Sequence, residues 1–198
     1  MRKVMILLVC ILMAAFAVNA NAATITYTDD GTGSGTLGGT SFSDASFTIT
    51  AIGDTTSRLP LPAGYGFFID NISASITISG LGTSDFTSGT RFFVNNIVSD
   101  VGFSRAGIGG LDLFDGPTNG AFSTWNMLSS IGPISGSADL LQWSNETVST
   151  NNGTLVFNNA AVTGTFQATV SSVPEPCTLL LLGSGLVGLV AFGKKFRA

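Results

Sequence analysis

The chain has 198 residues, 44% of them hydrophobic and 10% charged, a formal net charge of −4, and no histidine. Without histidine, Ser-His-Asp and Cys-His nucleophile systems and His-ligated zinc are excluded. Five of the eight basic residues lie in the first three or last five positions, so residues 23–172 carry ten Asp and one Glu against Arg58, Arg91 and Arg105, a net charge of −8 that argues against nucleic acid or anionic lipid as a partner.

At the N-terminus, Arg2 and Lys3 precede an apolar run from Val4 to Val18, followed by Ala20-Asn21-Ala22. A basic start, an apolar stretch and small residues at −3 and −1 predict a secretory signal peptide over residues 1–22, cut between Ala22 and Ala23. Cleavage after Ala20, with Val18 at −3, is the near alternative, and an uncleaved membrane anchor is the other. Cys10 follows Val9, where a lipoprotein signal would carry Gly or Ala. The partners this implies are the Sec translocon and signal peptidase.

Residues 23–172 are long enough for one domain with a real core. The span holds no cysteine and no lysine, and its polar positions are dominated by Gly, Ser, Thr and Asn. Its apolar residues fall with period two. Ile25 and Tyr27 alternate with Thr24, Thr26 and Thr28. Phe47, Ile49 and Ala51 alternate with Thr48 and Thr50. Ile72, Ala74, Ile76 and Ile78 alternate with Ser and Thr, and Val162, Phe166, Ala168 and Val170 share one face with Gly164. Such runs predict half-buried antiparallel strands. Turn-rich segments separate them: Asp29 to Gly39, Gly53 to Gly66, Gly80 to Gly89, Gly107 to Gly110, Gly116 to Gly120 and Asn151 to Gly153. No stretch reads as an amphipathic helix. The expected fold is all-β, an antiparallel β-sandwich of jelly-roll type, with the first and last strands paired in one sheet.

The chemistry available to this span is narrow. The lack of lysine removes Schiff-base chemistry and Ser-Lys dyads. With Glu146 as its one glutamate, a two-carboxylate glycosidase would have to use aspartates such as Asp112 and Asp115, and nothing in the sequence marks either as an acid. The domain is therefore read as non-enzymatic. Gly33-Ser34-Gly35-Thr36-Leu37-Gly38 matches G-x-G-x-x-G, but no helix follows to present its N-terminus to a pyrophosphate, so it reads as a flexible glycine loop. Asp29-Asp30 in a loop, and Asp112 with Asp115 and Asn119, are candidate calcium ligands, although Asp beside Gly is also ordinary turn chemistry. No other cofactor is expected. Tyr65, Trp125 and Trp143 can stack on sugars if exposed, or fill the core. Thr24, Thr26 and Thr28 line one strand face, too few to order water on ice. The sequons at Asn71, Asn145 and Asn152 reflect composition.

The last 26 residues are unlike the rest. Val173-Pro174-Glu175-Pro176 leads into sixteen uncharged residues, Cys177 to Phe192, and then Lys194-Lys195-Phe196-Arg197-Ala198. Each proline fixes its own φ and drives the residue before it toward extended geometry, which holds the stretch around Glu175 as a peptidase needs its substrate. As a helix the apolar run spans roughly 24 Å against a bilayer core of about 30 Å, a shortfall that snorkelling lysines and local thinning absorb. A buried core helix is the alternative, but polar residues at helical spacing are missing. With Lys194, Lys195 and Arg197 after the run and no cation in the sixty residues before it, the positive-inside rule places the C-terminus in the cytoplasm. The three parts, in this order, resemble the PEP-CTERM sorting signal of Gram-negative bacteria, a module also labelled an ice-binding protein C-terminal domain. The resemblance covers residues 173–198 only. It implies recognition at Pro174, Glu175 and Pro176 by an exosortase-type membrane transpeptidase, removal of the helix, and transfer to the cell surface or an exopolysaccharide matrix.

The expected organisation is thus a signal peptide (1–22), an extracytoplasmic domain (23–172) and a sorting signal (173–198), the last comprising the motif 173–176, a transmembrane helix 177–193 and a basic tail 194–198. The expected function is that of an exported surface or matrix protein associated with exopolysaccharide or biofilm. A lectin-like, calcium-assisted carbohydrate-binding module is the alternative.

Overall fold

Alternation of apolar and hydroxyl side chains does what the sequence leads one to expect: Ile25, Tyr27, Phe47, Ile49, Ala51, Phe166 and Ala168 are all buried on strands, while the Thr and Ser between them face outward. The computed structural model describes residues 23–107, 112–141 and 148–172. The predicted signal peptide with Ala22, Trp143, and the sorting segment with Pro174, Glu175, Pro176, Lys194, Lys195 and Arg197 lie outside the described residues.

In chain order the strands are β1 (Ala23–Leu37), β2 (Thr40–Asp54), β3 (Leu59–Pro60), β4 (Gly66–Ile78), β5 (Gly82–Asp85), β6 (Thr90–Asn95), β7 (Asp100–Arg105), β8 (Asp112–Thr118), β9 (Ile131–Leu140), β10 (Val148–Thr150), β11 (Gly153–Phe157) and β12 (Ala160–Ser172). Short 3-10 turns occupy Thr55–Ser57, Pro62–Gly64 and Gly120–Ser123. No helix among the described residues is long and apolar enough to cross a membrane.

The fold is all-β and antiparallel, as expected, but it closes on itself. β1 pairs with β2 on one edge and with β12 on the other, which completes the circuit β1-β2-β4-β6-β7-β8-β9-β12. The result is an eight-stranded barrel rather than a two-sheet jelly-roll sandwich. Sequence alternation is identical for the two, because both have one apolar and one polar face. What decides is pairing: β1 is 15 residues long and is paired along both of its edges. Closure removes the open edges that invite aggregation. The first and last strands pair from Ala23↔Ser172 to Asp30↔Thr165. Beyond that point β12 gives way to β11, which takes the edge of β1 at Gly35–Leu37 and itself carries β10.

Eight strands enclose a space that side chains just fill. Here rings fill it. Tyr27 stacks on Phe92 at 4.7 Å, and Phe92 meets Phe103 and Phe166 at 5.2 and 5.8 Å. A second group joins Phe47 to Phe157 at 5.0 Å and to Phe114 at 5.6 Å. Apolar groups inside and Thr, Ser and Asp outside are the reverse of a barrel that spans a bilayer.

Two expectations are corrected by this geometry. The segment Asp29–Gly39 is not a loop: β1 runs through it to Leu37, and only Gly38 and Gly39 turn, with φ of 57° and 84° that suit a tight hairpin. Its glycines are there for room. A Cβ on Gly31 would lie 2.6 Å from the Phe47 ring, and one on Gly35 would collide with the Val156 carbonyl oxygen. The G-x-G-x-x-G match is therefore the inner face of a strand and its turn. Second, Ile72 does not share the inward face of Ile76 and Ile78. It is 69% exposed, because the β2–β4 register shifts between Ile52 and Gly53 and a bulge reverses the phase.

Candidate functional site

The barrel has two chemically distinct outer walls. On β12, β1, β2 and β4 many outward positions are hydroxyls brought side by side by register: Thr26 faces Thr169, Thr28 faces Thr50, and Thr48 faces Thr77. The Thr48 hydroxyl donates to Asp30, and Ser135 on β9 exchanges a hydrogen bond with Thr165 at 2.8 Å.

On β7, β8 and β9 four aspartates, Asp100, Asp112, Asp115 and Asp139, stand on the outer side, and β6 beside them contributes Arg91. Asp115 is registered opposite Asp139, Asp112 opposite Ser104, and Asp100 opposite Thr118. Partial burial, then repulsion from Asp115 and Asp112, lifts the Asp100 carboxyl to about 7. Burial and Asp115 lift Asp112 to about 6, against the pull of Arg91. Burial and Asp139 raise Asp115 as well. The Arg91 guanidinium lies 4.2 Å over the Phe68 ring and 3.1 Å from an Asp70 oxygen. This wall can take up protons near neutral pH, which simple surface aspartates do not do.

Inside the barrel, Asp29 breaks the apolar pattern. It is fully buried, and neither of its oxygens has a hydrogen-bond partner; burial, then Asp30, pushes its carboxyl well above the ordinary range. Two residues away on the same face, the Tyr27 hydroxyl is also buried without a partner, and burial raises its pKa too.

The residues singled out from sequence meet mixed fates. Asp29 and Asp30 are not a loop pair: one points into the core and the other to solvent. Asp112 and Asp115 do share the acidic wall, and both are raised where the sequence marked neither. Asn119 uses its side-chain oxygen to cap the turn at Ala121. Among the described residues no group of three or more acidic, Cys or His side chains is placed to hold a metal ion. Trp125 is core, packed 5.5 Å from Phe166, whereas Tyr65 is half exposed. Asp100, Asp139 and Arg91 were missed. They lie far apart in sequence, and only cross-strand register brings them to one wall.

No curated protein and no solved structure matches the chain. Residues 172–195 match the family model of the PEP-CTERM protein-sorting motif. The match begins on the last residue of β12 and takes in Pro174, Glu175, Pro176, Lys194 and Lys195. This stretch is a PEP-CTERM sorting motif, the mark of an exported precursor anchored in the membrane and processed by an exosortase on its way to the cell surface.

Proposed function

We propose that the chain is a non-enzymatic barrel displayed at the cell surface or in the extracellular matrix, where it associates with exopolysaccharide. The observation that carries this reading is the sorting motif placed directly after the last strand of the barrel. Residues 1–22 are the signal peptide, residues 177–193 the temporary anchor with its basic tail in the cytoplasm, and residues 23–172 the part delivered. The hydroxyl wall supports association with polysaccharide: its registered Thr and Ser can trade hydrogen bonds with sugar hydroxyls without drawing counterions. Ring packing throughout the interior supports a structural role.

Intact mass of the protein recovered from surface and medium tests the reading. A species beginning near Ala23 and ending between Pro174 and Pro176 is expected. A species that still ends at Ala198 would make the chain a permanent single-pass membrane protein, and exosortase processing would be ruled out for it. Retention of the recovered protein in gels containing the matrix polysaccharide tests the association. Unretarded migration in every such gel would remove the polysaccharide from the reading.

A further inference from the structure

Strand register places the two ends of the barrel unequally. Ala23↔Ser172, Thr24↔Asp54, Gly66↔Asn95 and Asp100↔Thr118 all fall at one end. The chain therefore enters and leaves the barrel there, beside the connections 55–65, 96–99 and 119–130.

These three connections are tied into one surface. The Asn96 amide donates to the Tyr65 carbonyl at 2.7 Å, and the Asn96 side chain donates to the Phe122 and Trp125 carbonyls at 2.6 and 3.0 Å. Arg58 donates to the Asn126 carbonyl at 2.9 Å while lying 4.2 Å over the Phe67 ring. Among exposed Ser, Thr and Asn, this surface carries most of the exposed apolar side chains of the barrel. Leu59, Tyr65, Ile97, Val98 and Leu128 are 43% to 70% exposed, five of the eight exposed large hydrophobic residues among those described. Such a concentration of exposed apolar side chains at one end of the barrel marks a contact surface.

Position says what covers it. Ser172 ends β12 at this same end, and by sequence only Val173-Pro174-Glu175-Pro176 separates it from the apolar run that starts at Cys177. Four extended residues reach at most about 14 Å. Anything anchored through that run keeps this end of the barrel near the lipid surface. The chemistry agrees. Four of the five side chains are aliphatic, with Tyr65 as the single ring, which suits the acyl–headgroup boundary better than the face of a sugar. Arg58 is the one basic residue there, in a domain of net charge −8, so the lipid addressed is zwitterionic.

We propose that this apolar end of the barrel rests on the outer surface of a zwitterionic bilayer while the precursor is anchored, and so holds the sorting motif at the depth where a membrane transpeptidase works. The inference depends on reading residues 177–193 as the anchor. Weak apolar docking combined with one anchor holds firmly, whereas docking alone does not, so cutting the motif also frees the barrel.

The precursor as it stands after signal cleavage, residues 23–198 with Cys177→Ser, is reconstituted in phosphatidylethanolamine–phosphatidylcholine vesicles, labelled with a fluorophore at Val98→Cys or, at the opposite end, at Asn159→Cys. The vesicles are then floated, and quenching by brominated phosphatidylcholine is read. Loss of emission at position 98 and retention at 159 is the expected result. Floating vesicles with both probes unquenched overturn the inference and leave the anchor standing. Failure to float overturns the anchor reading and this inference with it. Should position 98 resist brominated lipid yet become shielded from iodide once membrane proteins of the expressing cells are added, the surface belongs to a protein and the lipid assignment falls.

Discussion

The hydroxyl wall and the acidic wall are built on the same inner surface. Behind both lie apolar side chains, and Phe166 of one touches Phe92 of the other at 5.8 Å. Outside they diverge: paired threonines on β1, β2 and β12, against carboxylates raised by burial and mutual repulsion on β7 and β8. A closed barrel constrains only its inside. Packing dictates which residues point in, while those that point out are free to serve two surroundings.

The strongest attempt to break this comparison is Phe166→Ala. The ring meets Tyr27, Phe92, Phe122 and Trp125 at 5.5 to 6.2 Å, so its loss opens a cavity shared by both walls. A destabilisation of about 4 kcal/mol is expected in denaturant unfolding, as one cooperative step. Two separate transitions, one for each wall, would show that they are not one structure. Next in size is Asp29→Val. Removing a buried carboxyl that has no partner should stabilise the barrel by about 2 kcal/mol at neutral pH. The sign follows from linkage. Burial, then Asp30, holds the Asp29 carboxyl well above 3.8 in the folded chain, so wild-type stability falls as pH rises above the ordinary carboxylate value that the unfolded chain keeps. A variant that loses stability would mean that Asp29 holds a favourable contact.

The acidic wall makes a pH prediction that the hydroxyl wall cannot share. Asp100 and Asp112 have folded values of about 7 and about 6 against an unfolded value near 3.8. Their contribution is fully present below about pH 4 and is lost as pH rises through 6 to 7. Melting temperature should therefore decline across that window. Asp100→Asn should flatten the decline by removing one of the mutually repelling charges, whereas Thr26→Ser on the hydroxyl wall should leave it unchanged. Equal slopes in wild type and Asp100→Asn would erase the electrostatic difference between the walls.

How much of this was legible in the sequence differs between the walls for the same physical reason. Alternation is clean over 24–28, 47–51 and 164–168, so Ile25, Tyr27, Ile49 and Phe166 could be assigned inward from sequence alone, although register shifts interrupt the same strands elsewhere. Along β7 and β8 the strands are short, and bulges interrupt the register near Asp100 and at Leu113, so Asp112 and Asp115 carry no clean period. Closure itself was invisible, because a sandwich and a barrel demand the same alternation. So was the inward place of Asp29: Asp-Asp-Gly has the composition of a turn, and the paired strands on both sides override that preference. The apolar end was hidden for another reason. Leu59, Ile97 and Leu128 are far apart in sequence, and only the hydrogen bonds of Asn96 and Arg58 draw their connections together.

The smallest expected effect sharpens the account of the acidic wall. Asp70→Asn removes the partner 3.1 Å from Arg91, but the Asp70 side chain is 55% exposed, so less than about 1 kcal/mol should be lost. Arg91 keeps its place over Phe68. Relieved of Asp70, its charge acts more fully on Asp112, the carboxyl it already draws downward. Titration of Asp112, followed by carboxyl NMR shifts, should therefore move to lower pH in the variant. An unchanged Asp112 would mean that Arg91 is held by its ring contact alone, and that the acidic wall is a set of separate carboxylates rather than one connected surface.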